Sequence, residues 1–408
     1  MQTKPRKRLR VLVNGLSARH GGVQTYLINL FEHLPTEMAI EAFVLCPDTL
    51  PLPVSSKVKR LNVSWPVGNP FVRAVWEKIE LPKLFRELRP DVFFCPGGVI
   101  GAGVPPTCKT VTMFRNMLPF DRVHRRKYPF GYMRIRHWLL ERMLMRSMLR
   151  SDLVIFISNY ARDLIEQRSF GRLKKTVIIP HGISSKFREL VSGNGNRGGW
   201  VPKEEYLLYV SRVDFYKAQI EVVQAFALLK KKGHTALKLV FAGPESLEYA
   251  RKVRREIRRL ALESEVVMLG AIPYTEMPNL YQNALVNIFA SHCENCPNIL
   301  LEALASGRPL VASREPPMPE FAGDAALYFN PSSPLELSEC LSRLLNDPDR
   351  MRAFSRQALE RSRAYSWLGT ASATWKAVAE LADHDLSIGS IHSIAASEES
   401  LAMGICND

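Results

Sequence analysis

The sequence of 408 residues lacks any apolar run of the roughly 18–20 residues that a membrane-spanning helix needs. Its start, MQTKPRKRLRVLVNGL, combines a basic cluster with a short strand-like run and lacks the apolar region and cleavage site of a secretory signal. Seven cysteines, an odd number scattered along a long chain, do not suit a disulfide framework. These absences predict a cytoplasmic protein with reduced thiols.

Acidic residues are scarce in the first half of the chain. Residues 1–190 contain 32 Lys and Arg but only 14 Asp and Glu, a net charge of +18, whereas residues 191–408 contain 23 and 26, a net charge of −3. The basic half suits nucleic acid, an anionic membrane or an acidic small molecule, and charge alone does not choose among them. The 46% hydrophobic and 23% charged residues are typical of globular proteins, and the length favours two domains.

Short strand-like runs alternate with amphipathic segments throughout, which predicts parallel βαβ units. After Gly21 and Gly22, apolar residues at helical spacing between Val23 and Leu34 predict a helix. The strands predicted in the first half are residues 10–16, 41–47, 91–96, 109–114, 152–158 and 176–180.

A Gly- and Asn-rich stretch, residues 191–203, marks a linker between an N-terminal domain (residues 1–190) and a C-terminal domain (residues 204–380). Residues 381–408 are predicted to be a mobile tail. Predicted C-terminal strands are residues 206–211, 237–242, 266–271, 285–290 and 309–313, with helices at 219–232, 245–262, 274–283 and 298–306. The predicted fold is therefore α/β, with two doubly wound Rossmann-like domains facing across a cleft. The sequence leaves open whether the helices after residue 335 pack back on the first domain.

Two carboxylates flank a predicted strand-to-helix loop. Glu294 lies in the loop and Glu302 about one turn inside the next helix, where carboxylates can bind sugar hydroxyls. The backbone N–H groups of Asn298, Ile299 and Leu300 provide a candidate anion site at the helix N-terminus. Taken alone, the two glutamates could equally be a cap region and a solvated helix carboxylate.

A second crossover contributes cations. Arg212 and Lys217 follow the predicted strand at residues 206–211 and precede a helix, so they face the same cleft. Arg binds phosphate oxygens in a bidentate fashion and Lys supplies a mobile charge, a combination that suits a diphosphate. Together with the two carboxylates, the pair favours a sugar attached to a diphosphate.

Other motifs carry less information. Gly21 and Gly22 are compatible with a tight turn or with backbone approaching phosphates or an acceptor. His181 and Gly182 are predicted to shape a turn at the edge between the domains. Cys293 and Cys296 have zinc-like spacing but no second pair, so no metal site is predicted.

With these motifs in place, the sequence resembles the family-4 glycosyltransferases of the GT-B fold over roughly residues 10–380. The resemblance rests on HGGVQTYL, MFRNMLPF, ISNYARDLI, VIIPHGIS, YVSRVDFYKAQIEVVQAF, LVFAGPE, VVMLGAIPYTEMPNLYQNA, ENCPNILLEALASGRPLVAS and GDAALYFNP. It implies a retaining hexosyltransferase that uses a UDP- or GDP-linked sugar and a glycan or lipid-linked acceptor in cell-surface polysaccharide or glycolipid synthesis. It also implies that no metal cofactor is obligatory.

The resemblance assigns roles to residues. It implies that Arg212 and Lys217 hold the diphosphate, Glu294 the sugar hydroxyls and Glu302 the ribose. Ala271 and Ile272 would lie along the base, and Gly22 beside the donor. The acceptor and sugar side would include Gly21, Arg115 and Asn116.

Two segments depart from the family pattern. Asn295-Cys296-Pro297 replaces the common Gly-Phe-Gly and alters the loop that lines the sugar pocket. Arg115 and Asn116 stand where many members have a His, so that Arg115 would stabilise the leaving phosphate or Asn116 would hold a sugar hydroxyl.

Residues 122–150 contain nine Lys and Arg and one acidic residue, interleaved with aromatic and aliphatic side chains. This stretch either lies on anionic lipid at the inner face of the membrane or is a helix packed on the sheet with a solvated basic face. The alternatives to a transferase are another GT-B enzyme, such as a nucleotide-sugar epimerase, and a non-catalytic basic scaffold or nucleic-acid-binding protein. No nucleic-acid-binding motif is recognisable, so no nucleic acid partner is expected.

Overall fold

The computed structural model describes residues 8–19, 21–101, 103–127, 131–189 and 199–382. The predicted tail and residues 191–198 of the predicted linker lie outside the described residues, apart from the tail's first two positions. Two parallel sheets form the framework, as the βαβ pattern predicts. The doubly wound, Rossmann-like α/β fold class is therefore confirmed.

The N-terminal sheet has seven strands in the order β3-β2-β1-β4-β5-β6-β7, all parallel. Its strands are β1 Leu9–Asn14, β2 Ile40–Leu45, β3 Val58–Leu61, β4 Val92–Cys95, β5 Lys109–Phe114, β6 Leu153–Phe156 and β7 Thr176–Ile178. Its helices are α1 Gly22–Glu32, α2 Pro70–Leu88, α3 Arg122–Lys127, α4 Tyr132–Arg150 and α5 Asn159–Ser169. The inner strands are buried on both faces because α1 covers one face and α2, α4 and α5 cover the other.

The C-terminal sheet has six parallel strands in the order β10-β9-β8-β11-β12-β13. They are β8 Tyr206–Val210, β9 Lys238–Ala242, β10 Val266–Met268, β11 Val286–Phe289, β12 Leu310–Ser313 and β13 Ala326–Phe329. The helices are α6 Gln219–Lys231, α7 Leu247–Arg259, α8 Met277–Asn283, α9 Asn298–Ala305, α10 Met318–Ala322, α11 Pro334–Leu345, α12 Pro348–Ser362 and α13 Trp367–Leu381.

The last helix, α13, belongs to the packing of the N-terminal domain. Its Trp375 is fully buried in the core formed with α1, and the indole Nε1–H donates to the carbonyl of Leu30 at 3.0 Å. The Tyr26 hydroxyl on α1 lies 3.2 Å from the hydroxyl of Thr374. The chain therefore returns to the first domain after completing the second.

Strand order reverses between β1 and β4 in the first sheet and between β8 and β11 in the second. Open parallel sheets bind ligands beyond the carboxyl ends of the strands at such switch points. The loops that follow β1, β8 and β11 therefore lie where a ligand is expected, and they carry Gly21, Arg212 and Glu294.

Candidate functional site

A cleft with a cavity of about 690 Å³ lies between the two domains. The N-terminal domain lines it with Gly21, Gly22, Val23, Thr25, Arg115, Asn116, Ile157 and His181. The C-terminal domain contributes Val210, Ser211, Arg212, Lys217, Gly243, Pro244, Tyr274, Met277, Phe289, Glu294, Asn295, Cys296, Pro297, Asn298, Ile299 and Glu302. Most side chains assigned from the sequence are thus brought together around one cavity.

Lys217 and Glu294 form an ion pair in this cleft. Lys217 ends a short 3-10 turn, Phe215–Lys217, between β8 and α6, and its ammonium group donates to Oε1 of Glu294 in the β11–α9 loop. The two side chains are 6% and 16% exposed, so both charges are nearly withdrawn from water. Each therefore depends on the other for compensation.

Two guanidinium groups in the cleft form no ion pair, although the Asp214 carboxylate interacts electrostatically with one of them, Arg212. Among the described residues, no carboxylate forms an ion pair with Arg212, which is exposed after β8, or with Arg115, which follows β5. The Arg115 guanidinium lies 5.1 Å from the centre of the Tyr26 ring, and burial lowers its pKa to about 10, so it stays protonated at neutral pH. The cleft therefore presents guanidinium groups without an ion pair from both domains.

Glu302, on α9, also lines the cavity and is only 9% exposed. Burial raises its pKa to about 7, although the Tyr274 and Tyr281 hydroxyls oppose the rise. The Tyr274 hydroxyl donates to Oε1 at 2.9 Å. This carboxyl is half ionised near neutral pH and faces a cavity with acceptor oxygens available.

One sequence assignment to the donor side needs correction. The Leu300 N–H donates to the Pro297 carbonyl at 2.9 Å inside the first turn of α9, and its side chain is buried, so Leu300 offers no anion site. Ala271 and Ile272 are not among the residues that line the cavity, and their position along the base stays a prediction. They follow β10, the edge strand, whereas Gly243 and Pro244 follow the more central β9 and do line it.

The glycine pair is placed beside the cations. Gly21 precedes α1 with φ of 69°, a conformation that favours glycine. A Cβ at Gly22 would lie 3.2 Å from an Arg115 guanidinium nitrogen and 3.8 Å from the Asn298 side-chain nitrogen. Glycine at this position therefore keeps the cleft open between Arg115 and the start of α9.

Sequence reasoning missed several contacts around this cavity. It gave no role to the Tyr274 side chain, although the motif IPYTEMPNLYQNA was part of the resemblance. His181 is buried between the domains, and its Nδ1 lies 2.7 Å from Oδ1 of Asn298. Burial lowers the pKa of His181 well below its usual range, so the ring is neutral. Within the described residues, no cluster of three or more His, Cys, Asp or Glu side chains is arranged to hold a metal ion.

Two facing Rossmann-like domains around such a cleft define the GT-B architecture, and comparisons with known proteins identify the family. The sequence-family model described as "Glycosyltransferase Family 4" matches residues 20–187, and the one described as "Glycosyl transferases group 1" matches residues 195–361. The chain belongs to the GT-B glycosyltransferases of this family-4 type.

Curated relatives are similar over part of their length. The O-antigen chain mannosyltransferase B of Escherichia coli is 26% identical over 162 residues, which are 40% of this chain and 42% of that protein. The alpha-monoglucosyldiacylglycerol synthase of Streptococcus pneumoniae is 31% identical over 192 residues, 44% of this chain and 42% of that protein. The chain thus spans less than half the length of these two relatives.

Solved structures share the fold over nearly the whole chain. Sucrose-phosphate synthase from Thermosynechococcus elongatus has a TM-score of 0.73 at 16% identity, covering 92% of this chain and 99% of that chain. Anabaena Alr3699/HepE in complex with UDP and glucose has a TM-score of 0.67 at 16% identity, covering 91% and 100%. At such identities the likeness shows the fold alone.

Proposed function

We propose that this glycosyltransferase transfers a hexosyl group from a UDP- or GDP-linked sugar to a hydroxyl of a glycan or lipid-linked acceptor, with retention at the anomeric carbon. The proposal extends to a role in cell-surface polysaccharide or glycolipid synthesis. The relatives that support it include the mannosyltransferase and the glucolipid synthase described above.

The observation that carries the proposal is the pair of guanidinium groups in the interdomain cleft that form no ion pair. Arg212 and Arg115 approach the same cavity from opposite domains, beside the Lys217–Glu294 pair. A nucleoside diphosphate supplies the negative charge that these guanidinium groups lack. The Alr3699/HepE complex with UDP and glucose, which has the same fold, supports a nucleotide sugar as the ligand class.

The remaining polar groups suit the other parts of such a donor. Glu294 accepts from the hydroxyls of the transferred sugar while remaining beside Lys217. Glu302, with Tyr274 next to it, accepts from the ribose. The N–H groups of Asn298 and Ile299 lie at the positive end of α9 and favour phosphate oxygens.

The proposed reaction breaks the bond between the anomeric carbon and the phosphate oxygen and forms a bond from that carbon to the acceptor oxygen. Arg212, Lys217 and Arg115 stabilise the charge that develops on the departing diphosphate. The acceptor proton passes to the leaving phosphate oxygen, so a front-face route needs no separate base. With three cations at the leaving group, an obligatory metal ion is not part of the proposal.

The test is a donor and acceptor screen. UDP-, GDP- and ADP-hexoses are incubated with glycan and lipid acceptors, and nucleoside diphosphate release and product configuration are measured. We expect one donor to give a product with the donor's anomeric configuration. An inverted product would contradict retention, and failure of every donor to react would contradict the transferase proposal.

A lipid-linked acceptor is further supported by the exposed face of α4. The inward residues Leu144 and Met148 pack on the sheet, yet apolar side chains also point outward, 47–74% exposed: Tyr132, Ile135, Leu139 and Met143. Arg136, Arg142 and Arg146 are exposed on the same helix. We propose that this mixed apolar and basic face, the α4 face, contacts anionic membrane.

Helix α2 extends this surface. It covers the same side of the N-terminal sheet as α4, and its Phe71, Val75 and Ile79 are 80%, 49% and 45% exposed at a spacing of four residues. Both helices begin at the carboxyl ends of the strands, the edge that carries the cleft. Docking through α2 and α4 would hold the cleft near lipid-linked acceptors. None of the described helices combines the length and apolar character needed to cross a membrane.

A further inference from the structure

The loop between β11 and α9, residues 290–297, contacts the N-terminal domain as well as its own. Although Cys293 belongs to the C-terminal domain, it packs within the N-terminal cluster that contains Phe114 and Phe120. The next residue, Glu294, points into the cleft toward Lys217. Asn295 again turns to the N-terminal domain, so successive side chains alternate between the two.

Both halves of the Asn295 amide are satisfied across the domain boundary. The Nδ2 group donates to the Phe114 carbonyl at 3.1 Å, and Oδ1 accepts from the Ser158 hydroxyl at 3.0 Å. Ser158 Oγ in turn accepts from the Ala161 N–H at the start of α5, which leaves its single proton for Asn295. With only 5% of Asn295 exposed, breaking either bond leaves a buried polar group unpaired.

These contacts connect the loop that carries Glu294 with the strand end that precedes Arg115. Phe114 ends β5 and directly precedes Arg115, while Asn295 directly follows Glu294. The amide therefore links the segment that carries the donor-side carboxylate to the segment that carries the guanidinium on the opposite domain. The Asn-Cys-Pro departure from the family pattern places a cross-domain contact where Gly-Phe-Gly has no amide side chain.

We infer that Asn295 is a positioning residue that acts through Glu294: it holds this carboxylate, and the sugar bound to it, at a fixed position relative to Arg115. The inference rests on the proposed function. It assigns Asn295 no contact with the reacting atoms, so its loss should impair turnover and spare recognition of the nucleoside diphosphate.

The experiment compares Asn295→Ala and the isosteric Asn295→Asp, which keeps an acceptor for Ser158 and loses the donor to Phe114. Displacement of reacting groups by about 1 Å can cost about 10²-fold in rate, so we expect kcat to fall roughly 10–100-fold. The Kd for the nucleoside diphosphate, measured by calorimetry, should stay within about twofold because Arg212 and Glu302 are untouched.

Glu320→Ala is the matched control. Its carboxylate accepts from the Asn159 and Tyr160 N–H groups, at 2.6 and 3.0 Å, and so forms a second contact between the domains that has no hydrogen bond to the Glu294 loop. We expect its kcat to remain within about threefold of the wild type. An equal loss in Asn295→Ala and Glu320→Ala would overturn the inference, because domain contact alone would then explain both.

A double-variant cycle supplies the decisive readout. If Asn295 acts through Glu294, adding Asn295→Ala to Glu294→Ala should lower kcat by less than about threefold, whereas independent roles would give multiplied losses. Thermal unfolding identifies variants that fail to fold, and Ser158→Ala then replaces Asn295→Ala. If the wild type is active and the losses in kcat from Asn295→Ala and Glu294→Ala multiply, the inference is overturned and the proposed function is unaffected. If the wild type transfers no sugar, the proposed function is contradicted as well.

Discussion

The Lys217 ammonium group and the Glu294 carboxylate neutralise each other in the free protein, although they come from separate crossovers 77 residues apart. The excess charge of the cleft therefore resides on Arg212 and Arg115. Lys217 is nearly buried and paired, whereas Arg212 is exposed, so substitution of the two cations should have different consequences for folding.

For Arg212→Ala we expect the transfer rate to fall by ~10²–10³, as commonly follows loss of an electrostatic contact to a transition state. Its melting temperature should barely change because an exposed side chain without an ion pair is removed. Full turnover in the purified variant would refute the role given to Arg212.

Lys217→Ala should lower both activity and stability, since it leaves the Glu294 carboxylate buried without a partner. We expect the free energy of unfolding to fall by about 1–3 kcal/mol. Adding Glu294→Gln removes the orphaned charge and should restore part of this loss while activity stays low. Equal stability of Lys217→Ala and the wild type in urea unfolding would contradict the pairing.

Chelation tests the electrostatic account of leaving-group departure. If Arg212, Lys217 and Arg115 perform the role of a divalent ion, sugar transfer should continue at its full rate in excess EDTA. A strict requirement for Mg²⁺ or Mn²⁺, restored only by adding the ion back, would show that the cations are insufficient.

The raised pKa of Glu302, about 7, predicts a pH dependence of donor binding. The ionised carboxylate is the stronger acceptor for ribose hydroxyls and becomes dominant as pH rises through 7. If only this form binds, affinity for the nucleoside diphosphate should increase about tenfold between pH 6 and pH 8. Glu302→Gln should lose this increase and retain only the dependence due to the phosphate groups. An unchanged pH profile in that variant would exclude Glu302 as its source.

Membrane contact should depend on the α4 face. Arg125 is unsuitable for this test because it pairs with Glu141, so the variant changes Arg136, Arg142 and Arg146 to Ser. With about 1 kcal/mol for each basic residue, vesicle affinity should fall by about two orders of magnitude on anionic lipid at low salt. Changing Arg251, Arg255 and Arg258 on α7 removes the same charge elsewhere and should have little effect. Equal losses in both variants, or indifference to lipid charge, would contradict docking through α4.

The fold was largely predictable because buried parallel strands form short apolar runs. The strand predicted at residues 109–114 matches β5, whereas β3 and β13 were missed. Both missed strands lie at sheet edges, where fewer side chains are buried; in β3 only Val58 is. The packing of α13 on α1 was not predictable, because helical periodicity shows that a face is apolar and not which domain it contacts.

The site was predictable only where local patterns describe it. Glu294, Glu302, Arg212 and Lys217 stand at fixed spacings around strand ends, and all four line the cavity. The bond from Asn295 to Phe114 joins residues 181 apart, and no periodicity indicates it. Leu300 was misassigned because a sequence does not reveal which N–H groups in the first turn of a helix already donate to a backbone carbonyl.

The central claim, that the interdomain cleft binds a nucleoside diphosphate sugar through Arg212 and Arg115, which form no ion pair, is tested most directly by thermal unfolding with UDP-, GDP- and ADP-hexoses. At a concentration of 100 Kd, the correct donor should stabilise the wild type by about 2.7 kcal/mol. This gain should largely disappear in Arg212→Ala and persist in Arg255→Ala, which removes an exposed arginine from α7. The claim would be contradicted if no nucleotide sugar stabilised the wild type, or if Arg212→Ala were stabilised to the same extent.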